Sequence, residues 1–347
     1  MPSYRPIPNP KELANTHGLG RVVKLDTNEV PFGPLPGITE TVARVADDAR
    51  LYPDLSNTAL ITQLARQYEI DPSTVAVGNG SVALIEALIK GITRPGEEVL
   101  HSQPAFEAYP LVTTVAGAVS VTAPRNKHAH DLDALLTAVT SRTRIIIICN
   151  PSNPTGTYIP LEEFERFLDL VPRNILVIAD EAYIEFVTPP PQRDSTTLPA
   201  KHPNLVVMRS FSKAWGLAAL RVGWLCAHRT VTANIRKCIT PFSVNAVAQA
   251  AAIAALHQAP EMRRRAAQIA LERDSMIKEL RRLLPGIPDS QGNFFWMPLG
   301  PLSARFASSC EQQGYVVRSF GDYGVRVTIG LPEDNVGFLR VAEDLLN

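Results

Sequence analysis

The stretch LVVMRSFSKAWG, residues 205–216, places a lysine directly after an apolar run that predicts a β-strand. Ligands of open α/β sheets bind at the carboxyl ends of the strands, and Lys213 falls at such an end. The hydroxyls of Ser210 and Ser212 and the guanidinium of Arg221 suit a phosphate group. A lysine near such a cation loses its proton more easily, as Schiff-base chemistry requires. The alternative for this segment alone is a surface lysine among ordinary loop serines.

Three earlier segments also follow apolar runs. Asp180 ends the run VIAD, where a cation such as a protonated pyridine nitrogen would offset the cost of burying its carboxylate. The turn NPSNPTG, residues 150–156, can aim the Asn153 amide at a ring oxygen. The glycines of GNGS, residues 78–81, let the backbone approach a ligand, and Ser81 opens a helix whose first N–H groups suit a phosphate. The simpler interpretations are a helix cap, a tight turn and a plain strand-to-helix turn.

Short apolar runs alternate with longer helical patterns as far as about residue 240, which predicts a mostly parallel sheet flanked by helices. Beyond that point the pattern indicates a smaller α+β domain. We expect a large domain over residues 28–242 and a small one from residues 1–27 and 243–347. The predicted strands are 75–77, 98–101, 119–122, 144–149, 175–179, 205–209, 222–227, 293–297, 314–318 and 325–330. The predicted helices are 39–49, 58–68, 82–89, 132–139, 161–170, 244–257, 260–284, 302–313 and a last one from residue 333.

The composition excludes several classes of function. Lys+Arg and Asp+Glu both number 34, so the charge balance gives no reason to expect nucleic acid or an anionic membrane as partner. The four cysteines include no close pair, so we expect no metal site and no disulfide framework, and a cytoplasmic location. The N-terminus has no apolar signal segment, and the longest apolar run is too short to span a bilayer.

Taken in order, these segments resemble the fold-type I pyridoxal-5'-phosphate (PLP) aminotransferases, in particular the histidinol-phosphate aminotransferase family. The resemblance runs from about Lys24 to the C-terminus. It implies an α/β fold with a large and a small domain, and PLP as the cofactor. The matching segments are residues 25–29, 52–53, 78–81, 150–156, 180–183, 210–213, 220–223, 290–294 and 325–330.

The resemblance also implies which residues bind the cofactor. Lys213 would hold PLP as a Schiff base and carry the proton, and Asp180 would pair with the pyridine nitrogen. Asn153 and Tyr183 would bind the phenolic oxygen of the ring, and Phe106 would stack on the ring. The phosphate would be held by Gly80, Ser81, Ser210, Ser212 and Arg221.

The substrate and the oligomer follow from the same resemblance. Arg326 would bind the substrate carboxylate, Arg318 would lie near it, and Asn28 and Asn293 would line the site. Tyr52 would reach into the neighbouring subunit's site, which implies a homodimer with shared active sites. The expected partners are therefore a small amino acid, a keto acid and a second copy of the chain.

Three further segments look most like the actinobacterial aromatic amino acid (phenylalanine) aminotransferases: residues 32–36, 241–251 and 293–296. Phe294, Phe295 and Trp296 are compatible with a wall for an aromatic side chain, although they could equally be strand core. We therefore expect transfer of an amino group between an aromatic L-amino acid of the Phe/Tyr type and 2-oxoglutarate.

Other functions stay open beside this one. Histidinol phosphate is the second candidate donor, but Val30 stands where relatives usually carry Asn, and residues 8–21 lack the aromatic that relatives use toward the far end of the substrate. A PLP-dependent decarboxylase or cyclase would use the same cofactor contacts. A PLP-binding regulatory module is disfavoured because no DNA-binding segment or basic patch accompanies the set. A nucleotide-binding enzyme is disfavoured because Gly78 and Gly80 do not continue into a dinucleotide or phosphate-loop motif.

Overall fold

The computed structural model describes residue 6 and residues 9–346. Residues 1–5, 7 and 8, which belong to the predicted N-terminal arm, lie outside the described residues, as does residue 347. The helices are α1 Pro10–His17, α2 Ile38–Ala46, α3 Thr58–Tyr68, α4 Ser81–Ile92, α5 Ala108–Val115, α6 Leu132–Thr137, α7 Leu161–Leu170, α8 Arg229–Cys238, α9 Ala246–Leu256, α10 Ala259–Leu280, α11 Ser303–Gln312 and α12 Pro332–Leu346. The strands are β1 Val23–Leu25, β2 Val75–Gly78, β3 Glu98–Ser102, β4 Val119–Ala123, β5 Arg125–Asn126, β6 Ala129–His130, β7 Thr143–Cys149, β8 Leu176–Asp180, β9 Leu205–Ser210, β10 Gly223–Ala227, β11 Phe294–Met297, β12 Tyr315–Ser319 and β13 Val325–Thr328.

Seven strands form the large sheet in the order β2-β10-β9-β8-β7-β3-β4. The pairs from β9 to β4 are parallel, whereas β10 runs antiparallel to both β9 and β2. The carboxyl ends of β2, β9, β8, β7 and β3 therefore meet at one edge, together with the first residue of β10. This confirms the predicted fold class, a mostly parallel sheet flanked by helices.

The central strands of this sheet are buried on both faces. The four isoleucines of β7, residues 145–148, are at most 1% exposed, and β8 and β9 are buried along their whole length. Their side chains alternate between two hydrophobic cores, one on each face of the sheet. Each fully buried isoleucine contributes roughly 1.5–3 kcal/mol, so the strand ends that carry polar side chains stand on a rigid base.

A second sheet has four strands in the order β1-β12-β13-β11. β1 pairs in parallel with β12, so a segment before residue 28 joins strands from the last third of the chain. The pairs of β13 with β12 and with β11 are antiparallel. The domain boundaries at residues 27/28 and 242/243 stay a prediction. The pairing of β1 with β12 is consistent with a small domain built from both ends of the chain.

Several elements differ from the sequence-based expectations. α5, α8 and β1 were not expected; α5 carries Pro110 in its first turn and four β-branched residues after it, which lowers its helix propensity. α10 ends at Leu280 rather than near residue 284. Among the described residues, every helix is too short or too polar to cross a membrane.

Candidate active site

Lys213 lies three residues beyond the end of β9, where the two sheets approach each other. Its Nζ donates a hydrogen bond of 2.7 Å to the carbonyl oxygen of Thr27, just after β1, and lies 5.9 Å from the centre of the Tyr183 ring. Burial, and then the nearby charge of Arg326, lowers the pKa of the Lys213 amine to about 7. The amine can therefore be neutral, and so nucleophilic, near physiological pH.

Asp180 is the last residue of β8 and faces the same space. Its Oδ2 accepts a hydrogen bond of 2.6 Å from the Tyr109 hydroxyl, and its Oδ1 accepts one of 3.2 Å from the Ala182 N–H. Burial raises the pKa of Asp180, while these two hydrogen bonds and the charge of Lys213 act in the opposite direction. The Tyr109 side chain, which the sequence did not point to, thus fixes the orientation of the carboxylate.

The hydroxyl of Tyr183 is bound by two amides. Its oxygen accepts hydrogen bonds from Asn28 Nδ2 at 3.0 Å and from Asn153 Nδ2 at 3.3 Å. Burial raises the pKa of the Tyr183 phenol, so its proton is retained and available for donation. The structure therefore brings these three sequence-predicted residues into one hydrogen-bonded group.

A cradle for an anion lies at the beginning of α4. Gly80 precedes the helix with a positive φ of +81°, and it provides no side-chain cap for the first N–H groups. A Cβ atom at Gly80 would lie 2.3 Å from Nη2 of Arg221 and would displace this guanidinium, and the positive φ itself favours glycine. Nη1 of Arg221 donates to Ser212 Oγ at 3.3 Å, and Ser212 N donates to Ser210 Oγ at 3.0 Å.

These groups fit pyridoxal phosphate. The helix start and guanidinium of the cradle offer donors to a phosphate, and glycine at position 80 leaves the guanidinium in place beside the helix start. The carboxylate of Asp180 suits a pyridinium, the hydroxyl of Tyr183 suits a phenolate oxygen, and the amine of Lys213 suits an aldehyde. Backbone strain marks the same place, because Asn28 and Arg221 adopt left-handed conformations with φ +55° and +57°.

One face of the second sheet presents two arginines and two aromatic rings. Arg326 pairs with Arg318 on one side and with Trp296 on the other, and paired residues project to the same face. Nη1 of Arg326 donates to Asn153 Oδ1 at 2.6 Å, and Nη2 donates to the carbonyl oxygen of Asp26. The guanidinium lies 5.6 Å from the centre of the Phe294 ring. A buried cation lined by rings suits a carboxylate attached to an apolar group.

The expected aromatic wall is present only in part. Phe294 and Trp296 lie on the arginine face, and the Phe294 ring meets Tyr183 edge-on at 5.0 Å. Phe295 points to the opposite face and packs on Phe338 in the core. For Phe295 the structure therefore supports the other interpretation, strand core, because successive side chains of a strand alternate between faces.

Four other residues complete the arrangement. Asn293 Nδ2 donates to the carbonyl oxygen of Asn28 at 3.0 Å. Arg318 is bound by Glu107, which accepts from both Nε and Nη2 of the guanidinium. Glu107 follows Phe106, whose ring meets Tyr109 edge-on at 5.5 Å. Like Tyr109, Glu107 was missed by sequence reasoning.

Tyr52 is the one predicted cofactor residue that the structure places apart from this group. Its side chain is 83% exposed, and its ring packs 4.7 Å from that of Phe242. Within the described residues of a single chain, it therefore does not contribute to the site built around Lys213.

The chain is similar to known proteins over almost its whole length. The family model for aminotransferase class I and II matches residues 20–341. The aromatic amino acid aminotransferase of Thermobifida fusca is 46% identical over 93% of this chain and 90% of that protein. The protein of the same name from Streptomyces avermitilis is 44% identical over 92% and 89%. The crystal structure of histidinol-phosphate aminotransferase from Sinorhizobium meliloti with pyridoxal-5'-phosphate is 25% identical, with a TM-score of 0.87 over 98% of this chain and 96% of that one.

Proposed function

This chain belongs to the class I and II aminotransferases, and from that premise we propose that it moves an amino group between an aromatic L-amino acid of the Phe/Tyr type and 2-oxoglutarate. The family and the aromatic branch expected from the sequence are confirmed by the relatives at 44–46% identity, which are named aromatic amino acid aminotransferases. The observation that carries the proposal is the Lys213 amine, with its pKa of about 7, set between Asp180, Tyr183 and Arg326.

The proposed cofactor is pyridoxal 5'-phosphate, which supplies an aldehyde carbon that takes up amino groups and a ring that stabilises negative charge at the substrate Cα. Asp180 would hold a proton at the pyridine nitrogen, and its bond to Tyr109 keeps it aimed. Asn153 and Tyr183 would donate to the phenolic oxygen, and Phe106 would cover the ring. The phosphate would be bound by Gly80, Ser81, Ser210, Ser212 and Arg221.

Lys213 is the proposed catalytic base. Its neutral amine would take the proton from the substrate Cα and return it on the cofactor side, so that the same residue serves both directions of transfer. Its bond to the Thr27 carbonyl holds the amine in place, while burial and the charge of Arg326 lower its pKa more than Glu29 and Asp180 raise it. A lysine pKa near 7 matches a base to the pH at which it must act.

Arg326 is the proposed anchor for the substrate carboxylate. Its hydrogen bond to Asn153 places the anchor next to the proposed cofactor contacts, and Phe294 and Trp296 on the same face would pack against an aromatic side chain. Arg318 would lie beside this anchor, and Asn28 and Asn293 would line the pocket. The pocket thereby offers one charged and one apolar end, as an aromatic amino acid requires.

We also propose a cytoplasmic homodimer. The apolar side chains of Leu51, Tyr52, Leu55 and Phe242 are exposed on the single chain, and covering them with a second copy would carry Tyr52 to that copy's site. The four cysteines are free thiols, which agrees with a reducing compartment.

The test is a panel of amino donors with 2-oxoglutarate, in which glutamate formation is measured. We expect kcat/KM for phenylalanine and tyrosine to exceed that for histidinol phosphate by at least about tenfold, because a difference of about 1.4 kcal/mol in transition-state binding suffices. Histidinol phosphate as the best donor would transfer the assignment to histidine biosynthesis. Release of carbon dioxide without glutamate would indicate a decarboxylase and contradict the proposal.

A further inference from the structure

The two arginines on the open face of the second sheet have different surroundings. Arg318 and Arg326 are paired residues of β12 and β13, and both are buried. Arg326 is tied to the Asn153 side chain and to the Asp26 backbone. Arg318 instead meets a carboxylate, because Oε2 of Glu107 accepts from its Nε at 2.9 Å and from its Nη2. Arg318 therefore forms an ion pair with the carboxylate of Glu107.

Glu107 lies in the segment that joins β3 of the large sheet to α5. It lies between Phe106, the proposed ring cover, and the start of α5 in the large sheet's domain. The ion pair with Arg318 thus spans the cleft between the two sheets. A ligand bound at Arg326 would lie next to this ion pair, because Arg318 and Arg326 are paired residues on one face of the second sheet.

The geometry of the pair allows exchange. The two hydrogen bonds that Glu107 accepts from Arg318 end on the same carboxylate oxygen, and the Glu107 side chain is 25% exposed. A carboxylate displaced from Arg318 could therefore turn to water without a large desolvation cost. A second carboxylate brought by a ligand would either replace Glu107 at Arg318 or lie next to its negative charge. A ligand with an uncharged side chain would neither displace Glu107 from Arg318 nor place a second negative charge beside it.

We propose that Glu107 is a specificity-determining residue, which through Arg318 disfavours ligands with a second carboxylate and leaves aromatic ligands unaffected. The inference rests on the proposed function, in which an aromatic donor and a dicarboxylate acceptor use one pocket in turn. Glu107 would stay on Arg318 for the aromatic partner and release it for the dicarboxylate. Selection by a repulsive element of this kind is a general route to specificity.

The test measures binding of two unreactive probes to the PLP-loaded enzyme by calorimetry. Maleate represents a dicarboxylate, and 3-phenylpropionate represents an aromatic monocarboxylate. Glu107→Gln keeps the size of the side chain and removes its charge. We expect this variant to bind maleate about tenfold more tightly than the wild type, with the Kd of 3-phenylpropionate changed less than about twofold.

Arg318→Gln should change the affinity for maleate in the opposite direction. We expect it to bind maleate about tenfold more weakly than the wild type, again with little change for 3-phenylpropionate. Glu97→Gln is the matched control, since Glu97 pairs with Arg144 at 2.8 Å near the amino end of β3, at the other edge of the sheet. It should leave both affinities unchanged.

A purely structural ion pair would give a different pattern. Both Glu107→Gln and Arg318→Gln would then weaken both probes by similar factors and lower the melting temperature, and the ratio of the two Kd values would stay within about twofold of wild type. That result would overturn the proposal. Because binding is measured without turnover, failure of the donor panel would reject the aromatic transaminase and still leave this ratio interpretable.

Discussion

At the scale of single residues, the Lys213 amine shows how surroundings set chemistry. An ordinary lysine is almost fully protonated at pH 7, whereas a pKa of about 7 leaves about half of these amines neutral. The cause is burial first and the charge of Arg326 second. The same residue that binds the substrate in our proposal therefore also helps to activate the base.

This pKa predicts a pH dependence of stability in the cofactor-free protein. The unfolded chain keeps the lysine proton up to a pKa of 10.5, whereas the folded chain releases it near 7. The unfolded state therefore binds more protons between these values, and the free energy of unfolding rises with pH by up to about 1.4 kcal/mol per pH unit. Lys213→Met should lack this contribution, as measured by urea unfolding at pH 7, 8 and 9.

The control for this prediction is Lys201→Met. Lys201 is exposed, and its bond to Glu165 raises its pKa, so the variant should keep the wild-type slope. Parallel stability curves for the wild type and Lys213→Met would contradict the assigned pKa.

A second residue-scale prediction concerns Tyr109. Tyr109→Phe removes the 2.6 Å donor to Asp180, so the pKa of that carboxyl should rise further and its hold on a pyridinium should weaken. We expect kcat to fall about tenfold and the absorbance of the bound cofactor to titrate at altered pH. Tyr158→Phe is the comparison, because Tyr158 lines a separate cavity beside Glu181 and Arg209. An unchanged cofactor titration in Tyr109→Phe would contradict the role.

The sequence located some site residues and missed others for a physical reason. Lys213 and Asp180 follow strands, and strand ends converge wherever the sheet is parallel, so their meeting could be foreseen. Tyr109, in the first turn of α5, and Glu107, just before it, act on partners 71 and 211 residues away in the chain, and local propensity does not favour this helix. Such contacts depend on packing, which the local pattern does not contain.

At the scale of elements, β10 aligns the segments that carry the proposed phosphate contacts. Gly223 at its start pairs with Gly78 of β2 and with Ser210 of β9, so the proposed phosphate contacts meet along one row. A Cβ atom at Gly223 would lie 2.7 Å from the backbone nitrogen of Ser81 and 2.9 Å from the carbonyl carbon of Gly80. The first turn of α4 can therefore approach the sheet only over a glycine.

Gly223→Ala should push the start of α4 away from β10. We expect a loss of about 1–3 kcal/mol of stability, because backbone atoms must move to admit the methyl group. The Kd for PLP should rise at least about tenfold at the same time, which spectroscopic titration can measure. Gly20→Ala is the control, since a Cβ atom there meets nothing within 4 Å. Wild-type cofactor affinity in Gly223→Ala would show that the close approach is unnecessary.

The strands were predictable to within a few residues because buried parallel strands are continuous apolar runs, as in β7 and β8. α8 was missed because its residues are mostly polar or β-branched, and only Thr232 and Ile235 are buried. The three-residue β1 is too short to have a pattern, and its pairing with β12 comes from the tertiary fold.

At the scale of the whole molecule, the exposed aromatic pair of Tyr52 and Phe242 underlies the proposed dimer. Phe242→Asp should place a negative charge in the proposed interface between the two copies of the chain. We therefore expect the dimer to dissociate at micromolar concentration, which sedimentation velocity can measure. Activity should fall with dissociation, since Tyr52 would no longer reach a neighbouring site. Leu271→Asp is the control, because Leu271 is 73% exposed on α10. A Phe242→Asp enzyme that stays dimeric would place the interface elsewhere.

The strand order of the large sheet also constrains when the site can form. In that sheet β2 pairs with β10 alone, and the partner residues Gly78 and Gly223 are far apart in the chain. While β10 is still inside the ribosome, the parallel strands that precede it can already pair with one another. At that stage β2 has no neighbouring strand to pair with. The cofactor cradle would therefore be among the last parts of this domain to mature during synthesis.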